Sequence, residues 1–324
     1  MCICRTITRS GLKQTELVGF SDDKSTLNKA SQLKVADHLT DDIAKAVDGA
    51  KLVVIDVPIW NVATTLSTIA PFINDGCTVT DTLPVKSGLM EFAQQYLNDD
   101  RCFVGGHPIN INHIDLKSNA QNPFKNSFYG IVTNEKTSHD SVQDVVGMVE
   151  LLGAQPLFLN AEENDSYAAL LKQLPTLISL ALTKTATDST SWHEMSRIVG
   201  YQYERITELA SANPEMTADI ASHNRELVSY WIDQFIFTLS SFQDLLNGES
   251  EKLTDSLMNV WETHLQHASK GSIENRNVDI PSVTQTLAGM AIGQRLASHY
   301  SKFLKIDPDK NLKNDRRKLD KERP

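Results

Sequence analysis

Three short apolar runs between residues 51 and 108 constrain the fold more than any other feature of this chain. LVVIDVP (Leu52 to Pro58), CTVTDTL (Cys77 to Leu83) and RCFVGGHP (Arg101 to Pro108) are separated by two stretches of helical length. Short runs rich in β-branched residues, spaced in this way, are typical of buried parallel strands joined by crossover helices. The runs therefore predict an α/β domain with a parallel sheet.

Polar side chains stand at or near the end of each predicted strand. They are Asp56, Asp81 and His107. Because ligands of open α/β sheets bind outside the carboxyl ends of the strands, we expect these three residues to share the edge of the sheet where any chemistry takes place.

The alternation of strands and helices extends to residue 160 and then stops. Further strands are predicted at TELVGFS, YGIVT and QPLFLN, and helices at residues 3–10, 25–32, 40–48 and 141–152, the last ending at Gly153. Beyond residue 162 the apolar pattern fits a helical period, which predicts helices at 165–185, 189–211, 213–248, 249–270 and 282–304. We therefore expect a Rossmann-like α/β domain at residues 1–160, an all-helical domain at 161–305 and a disordered charged tail at 306–324.

The longest predicted helix begins at Asn213-Pro214-Glu215, which reads as an N-cap, a first-turn proline and a first-turn acid. It is predicted to end near Gly248. Its apolar residues recur at helical spacing and predict one buried face, formed by Ile220, Leu227, Trp231, Phe235, Leu239, Phe242 and Leu246.

Composition excludes several classes of partner. The 324 residues carry a formal charge of −10 and are 40% apolar, with no apolar run of membrane length. A nucleic-acid partner requires a basic face and a membrane protein requires a long apolar span, so neither is expected. The four cysteines form neither a disulfide framework nor a zinc pattern, which indicates a reducing cytoplasmic location and no metal site.

Five stretches in this order resemble the prephenate/arogenate dehydrogenase family, whose members act in tyrosine biosynthesis. They are VIDVPI (54–59), VTDTLPVK (79–86), FVGGHP (103–108), LLGAQPLFLNAEEND (151–165) and NPEMTADIASHNRE (213–226). The resemblance implies oxidative decarboxylation of a small molecule, prephenate or arogenate, with hydride transfer to NAD or NADP. It also implies a homodimer formed through the helical domain.

His107 is the catalytic residue that the resemblance implies. In the family, a histidine at this position accepts a hydrogen bond from the hydroxyl of the substrate while hydride leaves the same carbon. A histidine suits that role because its ordinary pKa lets it act as a neutral base near pH 7. Gly106 would bring the backbone close to the substrate. The alternative interpretation is that His107 only caps the end of a strand.

The resemblance also assigns cofactor-binding residues on the neighbouring strands. Val57 and Pro58 would line the path of the cofactor, and Asp81 and Lys86 would shape the floor beside the nicotinamide. Asp81 and Lys86 could equally form a structural ion pair.

The residues at the end of the predicted strand TELVGFS do not decide between NAD and NADP. In the family an acid at this place binds the ribose hydroxyls of NAD, whereas a small residue with a nearby cation suits NADP. Ser21 with Lys24 favours NADP, and Asp22 favours NAD.

The first departure from the family pattern is at the N-terminus. The family begins with a strand and a GxGxxG turn that hold the cofactor pyrophosphate, and neither precedes TELVGFS here. We therefore expect that the true start codon lies upstream or that the chain is a fragment. A sheet without that strand is expected to have a gap of about 9.6 Å, two strand spacings, at its centre.

Two further departures affect the substrate site. Pro84 stands where the family has a serine that hydrogen-bonds the histidine, so Thr82 or a backbone carbonyl is expected to orient His107 instead. Glu208 stands where the family has an arginine that pairs with the ring carboxylate of the substrate. Arg205, one turn earlier, is the first candidate to replace it, and Arg197 is the second.

These departures leave two other functions open. One is a dehydrogenase of a different small carboxylic acid. The other is a catalytically impaired or non-catalytic homologue that acts as a dimeric scaffold.

Overall fold

The structure is a computed structural model that describes residues 2–10, 15–97, 101–111, 122–248 and 250–274. The helix predicted at 282–304 and the charged tail predicted at 306–324 lie outside the described residues. The chain divides into two compact units, Met1–Leu253 and Thr254–Pro324.

Strands coincide with the apolar runs of the first half of the chain. In the described ranges they are β1 (Val18–Phe20), β2 (His38–Thr40), β3 (Leu52–Ile55), β4 (Thr78–Asp81), β5 (Cys102–Pro108), β6 (Phe128–Val132) and β7 (Gln155–Leu159).

Helices alternate with these strands up to β7. After β7, the described residues form helices and no strands. In the first half they are α1 (Cys2–Ser10), α2 (Lys24–Leu33), α3 (Ile43–Val47), α4 (Val62–Ile69), α5 (Ser87–Tyr96) and α6 (His139–Leu151). In the second half they are α7 (Ala161–Ala168), α8 (Leu174–Thr187), α9 (Trp192–Met195), α10 (Tyr201–Thr207), α11 (Pro214–His223), α12 (Arg225–Asn247) and α13 (Ser250–Glu274). α6 ends at Gly153, whose φ of +77° is a left-handed conformation that favours glycine, as predicted.

The main sheet has five strands in the order β3-β4-β5-β6-β7. β3, β4 and β5 are parallel, which confirms the parallel arrangement predicted for the first three runs. β6 runs antiparallel to β5, and β7 is parallel to β6. β1 and β2 form a separate parallel pair, and none of the described strands joins that pair to the main sheet. The fold is thus Rossmann-like.

Helices cover both faces of the main sheet. On one face α4 and α5 pack against the strands through Val62, Leu66 and Leu89, all buried. On the other face α6 packs through Val145 and Val149. Burying an aliphatic side chain of this size contributes about 1.5–3 kcal/mol, so the two layers fix the strands and the edge where they end.

The helix predicted at residues 40–48 was wrong at its N-terminal end. His38–Thr40 is a strand, and the helix that follows covers only Ile43–Val47, where Asp42 caps its N-terminus. A three-residue strand is too short to show an apolar alternation, and its pairing with β1 decides its conformation.

The helical region contains more breaks than predicted. The segment 189–211 is not one helix, because α9 ends in a 3₁₀ turn (Ser196–Ile198) before Gly200, and α10 ends in another (Glu208–Ser211). In contrast, α7 and α8 form one continuous helix through a π-helical turn at Ala169–Gln173.

The helix predicted from Asn213 to Gly248 is two helices. Its N-cap is confirmed, since the Asn213 side chain accepts a hydrogen bond of 3.0 Å from Met216 N. It breaks at Asn224, where φ is −120° and ψ is 29°. The buried Asn224 side chain donates to the Asp165 carbonyl at 2.8 Å and to Gln173 Oε1 at 3.1 Å. These tertiary hydrogen bonds hold the break.

The predicted burial of one face of this segment is wrong for its outer part. On α12 Val228 is only 5% exposed, whereas Leu239 is 50% and Leu246 is 68% exposed. Phe237, outside the predicted face, is 72% exposed. Among the described residues, α12 therefore leaves large apolar side chains uncovered.

In the second unit the structure describes the later part of α13, a helix that begins at Ser250 in the first unit. Across the described ranges, no helix combines the length and the apolar character that a membrane span requires.

Candidate active site

His107 lies at the carboxyl end of β5, the central strand of the main sheet. The preceding FVGG segment is fully buried, and His107 itself is only 2% exposed. It pairs with Gly130 of β6 across the antiparallel ladder. The strand therefore carries the imidazole to the sheet edge at which β3 and β4 also end.

Both ring nitrogens of His107 have partners. Nδ1 lies 2.8 Å from Asn164 Oδ1, and Nε2 lies 2.9 Å from Lys172 Nζ. The amide nitrogen of Asn164 donates to the Pro84 carbonyl at 2.9 Å and to Asp165 Oδ1 at 3.0 Å, so its oxygen must face the histidine. Nδ1 therefore carries the hydrogen, and Nε2 has a lone pair that accepts hydrogen bonds.

The two partners of His107 come from the helix that follows the sheet. Asn164 lies in α7, which begins with a capping box between Asn160 and Glu163. Lys172 lies in the π-helical turn, and its ammonium also donates to the Pro108 carbonyl at 2.9 Å. π-helical turns inside α-helices are frequent at functional sites.

The surroundings keep the imidazole neutral. Burial lowers the pKa of His107 well below its ordinary value of 6.5, and the positive charges of Lys172 and Lys86 lower it further. Burial, with a smaller effect of Lys86, also lowers the pKa of Lys172 to about 8. At pH 7 His107 is therefore a neutral base beside a lysine that is mostly protonated.

Asp81 and Lys86 form a buried ion pair beneath this site. Both side chains are fully buried, and Lys86 Nζ donates to Asp81 Oδ2 and to the Leu83 carbonyl. Asp81 also accepts hydrogen bonds of 2.9 Å from Gly106 N and Leu83 N. Burial raises the pKa of Asp81 and lowers that of Lys86. The structure thus shows the ion-pair alternative, and contact of either residue with a cofactor stays a prediction.

Gly106 is enclosed by protein atoms. A Cβ at this position would lie 2.4 Å from the Asp81 carbonyl oxygen and 2.9 Å from the Tyr129 hydroxyl. Packing between β4 and β5 therefore requires glycine here, and contact of Gly106 with a substrate stays a prediction.

Thr82 does not orient His107, contrary to one of the two expectations. Its hydroxyl donates to Asp56 Oδ1 at 2.8 Å, which joins the ends of β3 and β4. The other expectation, a backbone carbonyl, is also wrong, because the side chain of Asn164 accepts from Nδ1. Val57 and Pro58 are half-buried just beyond β3.

Ser21 and Asp22 follow β1 in the separate two-stranded sheet. The Ser21 hydroxyl accepts a hydrogen bond of 3.2 Å from Asp23 N. Asp23 caps α2 through Ser25 and Thr26. Asp22 is exposed and makes no hydrogen bond with any described residue. Asp22 therefore presents a free carboxylate at this strand end.

The two candidate arginines are not in contact with His107. Arg205 pairs with Glu208 at 3.1 Å, and its guanidinium lies 6.0 Å from the Tyr201 ring, all at the surface. Arg197 is exposed in the 3₁₀ turn after α9. Within the described ranges, neither is hydrogen-bonded to the residues around His107.

Comparison with known families covers both halves of the chain. A profile described as "Prephenate dehydrogenase, nucleotide-binding domain" matches residues 3–157, and one described as "Prephenate dehydrogenase, dimerization domain" matches residues 160–263. The chain belongs to the prephenate/arogenate dehydrogenase family. His107 and its partners lie within the two matched regions.

Two relatives in this family share about a quarter of their residues with the chain. A prephenate dehydrogenase of Bacillus subtilis (strain 168) is 24% identical over 235 residues, which are 72% of this chain and 63% of that protein. The chain thus spans less than two thirds of the length of that relative. A cyclohexadienyl dehydrogenase of Zymomonas mobilis is 24% identical over 232 residues, 70% of this chain and 79% of that protein.

Solved structures of the family share the fold. Prephenate dehydrogenase from Aquifex aeolicus, in complex with hydroxyphenyl propionate and NAD+, aligns with a TM-score of 0.75 and 24% identity over 82% of this chain and 93% of that one. Arogenate dehydrogenase from Synechocystis aligns with a TM-score of 0.68 and 20% identity over 82% of this chain and 95% of that one. These similarities place the chain in the prephenate/arogenate dehydrogenase fold.

Sequence reasoning missed Asn164 and Lys172. Asn164 lies in a stretch that carried the family resemblance, but its role depends on a residue 57 positions away. Lys172 did leave a signal, since it is the only charged residue between Asp165 and Lys184. A lone charge in an apolar helical stretch indicates a partner on another element.

Proposed function

We propose that this chain catalyses the oxidative decarboxylation of prephenate or arogenate, with hydride transfer to NAD+ or NADP+, in tyrosine biosynthesis. Membership of the prephenate/arogenate dehydrogenase family supports the class of reaction. The observation that carries the proposal is the lone pair on Nε2 of a buried, neutral His107 at the sheet edge.

This lone pair suits the chemistry of the reaction. The hydroxyl of the substrate donates to Nε2. As hydride leaves the hydroxyl-bearing carbon, the electrons of the breaking bond to the carboxylate enter the ring, carbon dioxide departs and a phenol forms. The hydroxyl becomes more acidic while this happens, so a neutral base that accepts its hydrogen bond stabilises the transition state more than the ground state.

The described residues fit a nicotinamide dinucleotide at two places. Asp22 has a free carboxylate at the end of β1, where ribose hydroxyls would donate to it. Val57 and Pro58 provide half-buried apolar surface beyond β3, suitable for a planar ring. When bound, the nicotinamide accepts the hydride. Ser21 remains a candidate for the adenosine ribose, and the choice between NAD and NADP is part of the test below.

The domain organisation belongs to the same proposal. Residues 1–160 bind the cofactor, and residues 161–305 form a helical domain that pairs two copies into a homodimer. The exposed apolar side chains of α12 support this pairing, as does the description of the matching profile as a dimerization domain.

The test is turnover measured at 340 nm with each combination of prephenate or arogenate and NAD+ or NADP+. His107→Asn is expected to lower kcat by about 10²- to 10⁴-fold, because it removes the acceptor of the hydroxyl proton. The matched control is His139→Asn, which changes an exposed histidine at the opposite edge of the sheet and should keep the full rate. Equal rates for wild type and His107→Asn would refute the catalytic role, and no turnover by wild type would refute the function.

A dehydrogenase of another small carboxylic acid is the second candidate. It is favoured by Glu208, which stands where the family has an arginine and which pairs with Arg205 at the surface. A panel of 2-hydroxy acids in the same assay separates the two candidates, since turnover with one of them and not with prephenate or arogenate would select the second.

A further inference from the structure

Lys172 is placed where it competes with the proposed substrate. Its Nζ lies 2.9 Å from His107 Nε2, which is the atom that the hydroxyl of the substrate must reach. Nε2 has one lone pair, so it accepts one strong hydrogen bond at a time. Catalysis by His107 therefore requires that the ammonium leave this position.

Lys172 also has a donor to spare. An ammonium has three N–H groups. Among the described residues it has two hydrogen-bond acceptors, His107 Nε2 and the Pro108 carbonyl. A carboxylate is a stronger acceptor for an ammonium than a neutral imidazole, since both partners are then charged. An anionic ligand at this edge would therefore attract Nζ away from the histidine.

Two other cations, one beside the site and one expected there, are already paired. Lys86 is fully buried against Asp81, and Arg205 is paired with Glu208 at the surface. Lys172 has no carboxylate partner in the described part of the chain. Lys172 therefore faces His107 without a negatively charged partner among the described residues.

We propose that the Lys172 ammonium binds a carboxylate of the substrate, and that this binding releases His107 Nε2 to accept the substrate hydroxyl. The inference rests on the proposed function and assigns to Lys172 the recognition that was expected of Arg205 or Arg197. It makes the base available only when an anionic ligand is present.

The direct test uses two small ligands that differ in one charge. 4-Hydroxybenzoate carries a hydroxyl and a carboxylate at opposite ends of a ring, and 4-hydroxybenzamide is its uncharged counterpart. In calorimetric titrations of the full chain, wild type is expected to bind the benzoate about tenfold more tightly than the amide. Lys172→Met should abolish this preference, and Lys172→Arg should retain it.

The matched control is Lys184→Met. Lys184 lies on the same continuous helix but is exposed and paired with Asp188 at 2.8 Å. This variant should keep the tenfold preference. Lys172→Gln serves as a second neutral variant, and unfolding midpoints establish that each variant is folded.

Kinetics provide an independent readout. Lys172→Met is expected to raise KM for the carboxylate substrate by about 10- to 100-fold, with kcat changed much less and KM for the cofactor unchanged. If Lys172 only positioned His107, the same variant would lower kcat and leave the preference for the benzoate intact.

The two proposals fail in different ways. If Lys172→Met still prefers the benzoate, or if wild type shows no preference, the role of Lys172 is refuted whatever the turnover. If wild type prefers the benzoate through Lys172 but turns over neither prephenate nor arogenate, the anion site stands and the proposed reaction is refuted.

Discussion

At the scale of residues, an asparagine takes the place expected of a serine. Pro84 has no hydroxyl, yet its carbonyl accepts from Asn164 Nδ2 and so turns Asn164 Oδ1 towards His107. Residue 84 therefore still orients His107, but it does so through the side chain of Asn164. The consequence is a fixed tautomer with Nε2 as the acceptor.

His107 is expected to titrate well below pH 6.5. Because its pKa is lowered in the folded state, the unfolded chain binds the extra proton first, and the contribution of His107 to stability is lost as pH falls below 6.5. Nitrogen-15 NMR of the imidazole should show Nδ1–H at pH 7, and Lys172→Met should raise the pKa of His107 by removing a neighbouring positive charge.

The control for this titration is Lys184→Met, which removes a positive charge without contact with His107 and should leave the curve unchanged. A wild-type midpoint at or above 6.5, or an Nε2–H tautomer at pH 7, would contradict the arrangement described for the site.

Sequence reasoning located His107 but not its partners, for a physical reason. His107 ends an apolar run, so local pattern places it at the sheet edge. Asn164 and Lys172 are 57 and 65 positions away from it. Their contacts depend on how α7 and the π-helical turn pack on the sheet, which no local pattern encodes.

At the scale of elements, the break between α11 and α12 depends on one side chain. Asn224 is buried and donates to the Asp165 carbonyl and to Gln173 Oε1. The carboxylate of Asp165 in turn accepts from Lys86 N at 2.6 Å and Ser87 N at 2.9 Å, at the start of α5. The break thus ties the helical region to the α/β region.

Asn224→Ala is expected to lower the free energy of unfolding by about 1–3 kcal/mol, because it leaves the buried Asp165 carbonyl without this donor. Urea denaturation measures the change. Asn247→Ala, an exposed position at the last residue of α12, is the matched control and should change stability by less than about 0.5 kcal/mol. Equal losses in both variants would show that the hydrogen bonds of Asn224 do not hold the break.

The elements that could be predicted are those with a strong local period. β3, β4 and β5 fall within the β-branched runs, and α6 ends at its glycine as expected. The antiparallel direction of β6 could not be predicted, since a strand has the same apolar pattern in either direction. Asn224 likewise does not interrupt the helical period, because the hydrogen bonds that break the helix reach residues 59 and 51 positions earlier.

At the scale of the whole molecule, the exposed apolar side chains of α12 favour a second copy of the chain as partner. Phe237 and Leu246 are 72% and 68% exposed, and Leu239, which lies on the same side of the helix as Leu246, is 50% exposed. A second copy of the chain would cover them in the proposed homodimer.

The double variant Phe237→Asp/Leu246→Asp is expected to shift the chain from dimer to monomer, because burying two carboxylates without partners is costly. Light scattering coupled to size-exclusion chromatography measures the mass directly. Phe72→Asp, an exposed phenylalanine in the α/β region, is the control and should leave the mass at that of wild type. A double variant that remains dimeric would place the interface on another surface.

The π-helical turn at Ala169–Gln173 links chemistry to helix geometry. It inserts one residue into an otherwise regular helix, and each residue of a helix accounts for a rotation of about 100°. Deleting a single residue there would turn the remainder of α8 by that angle relative to α7 and would also alter which side chain points at the imidazole. Insertions and deletions at this turn therefore change both the side chain that contacts His107 and the direction in which α8 presents its own side chains.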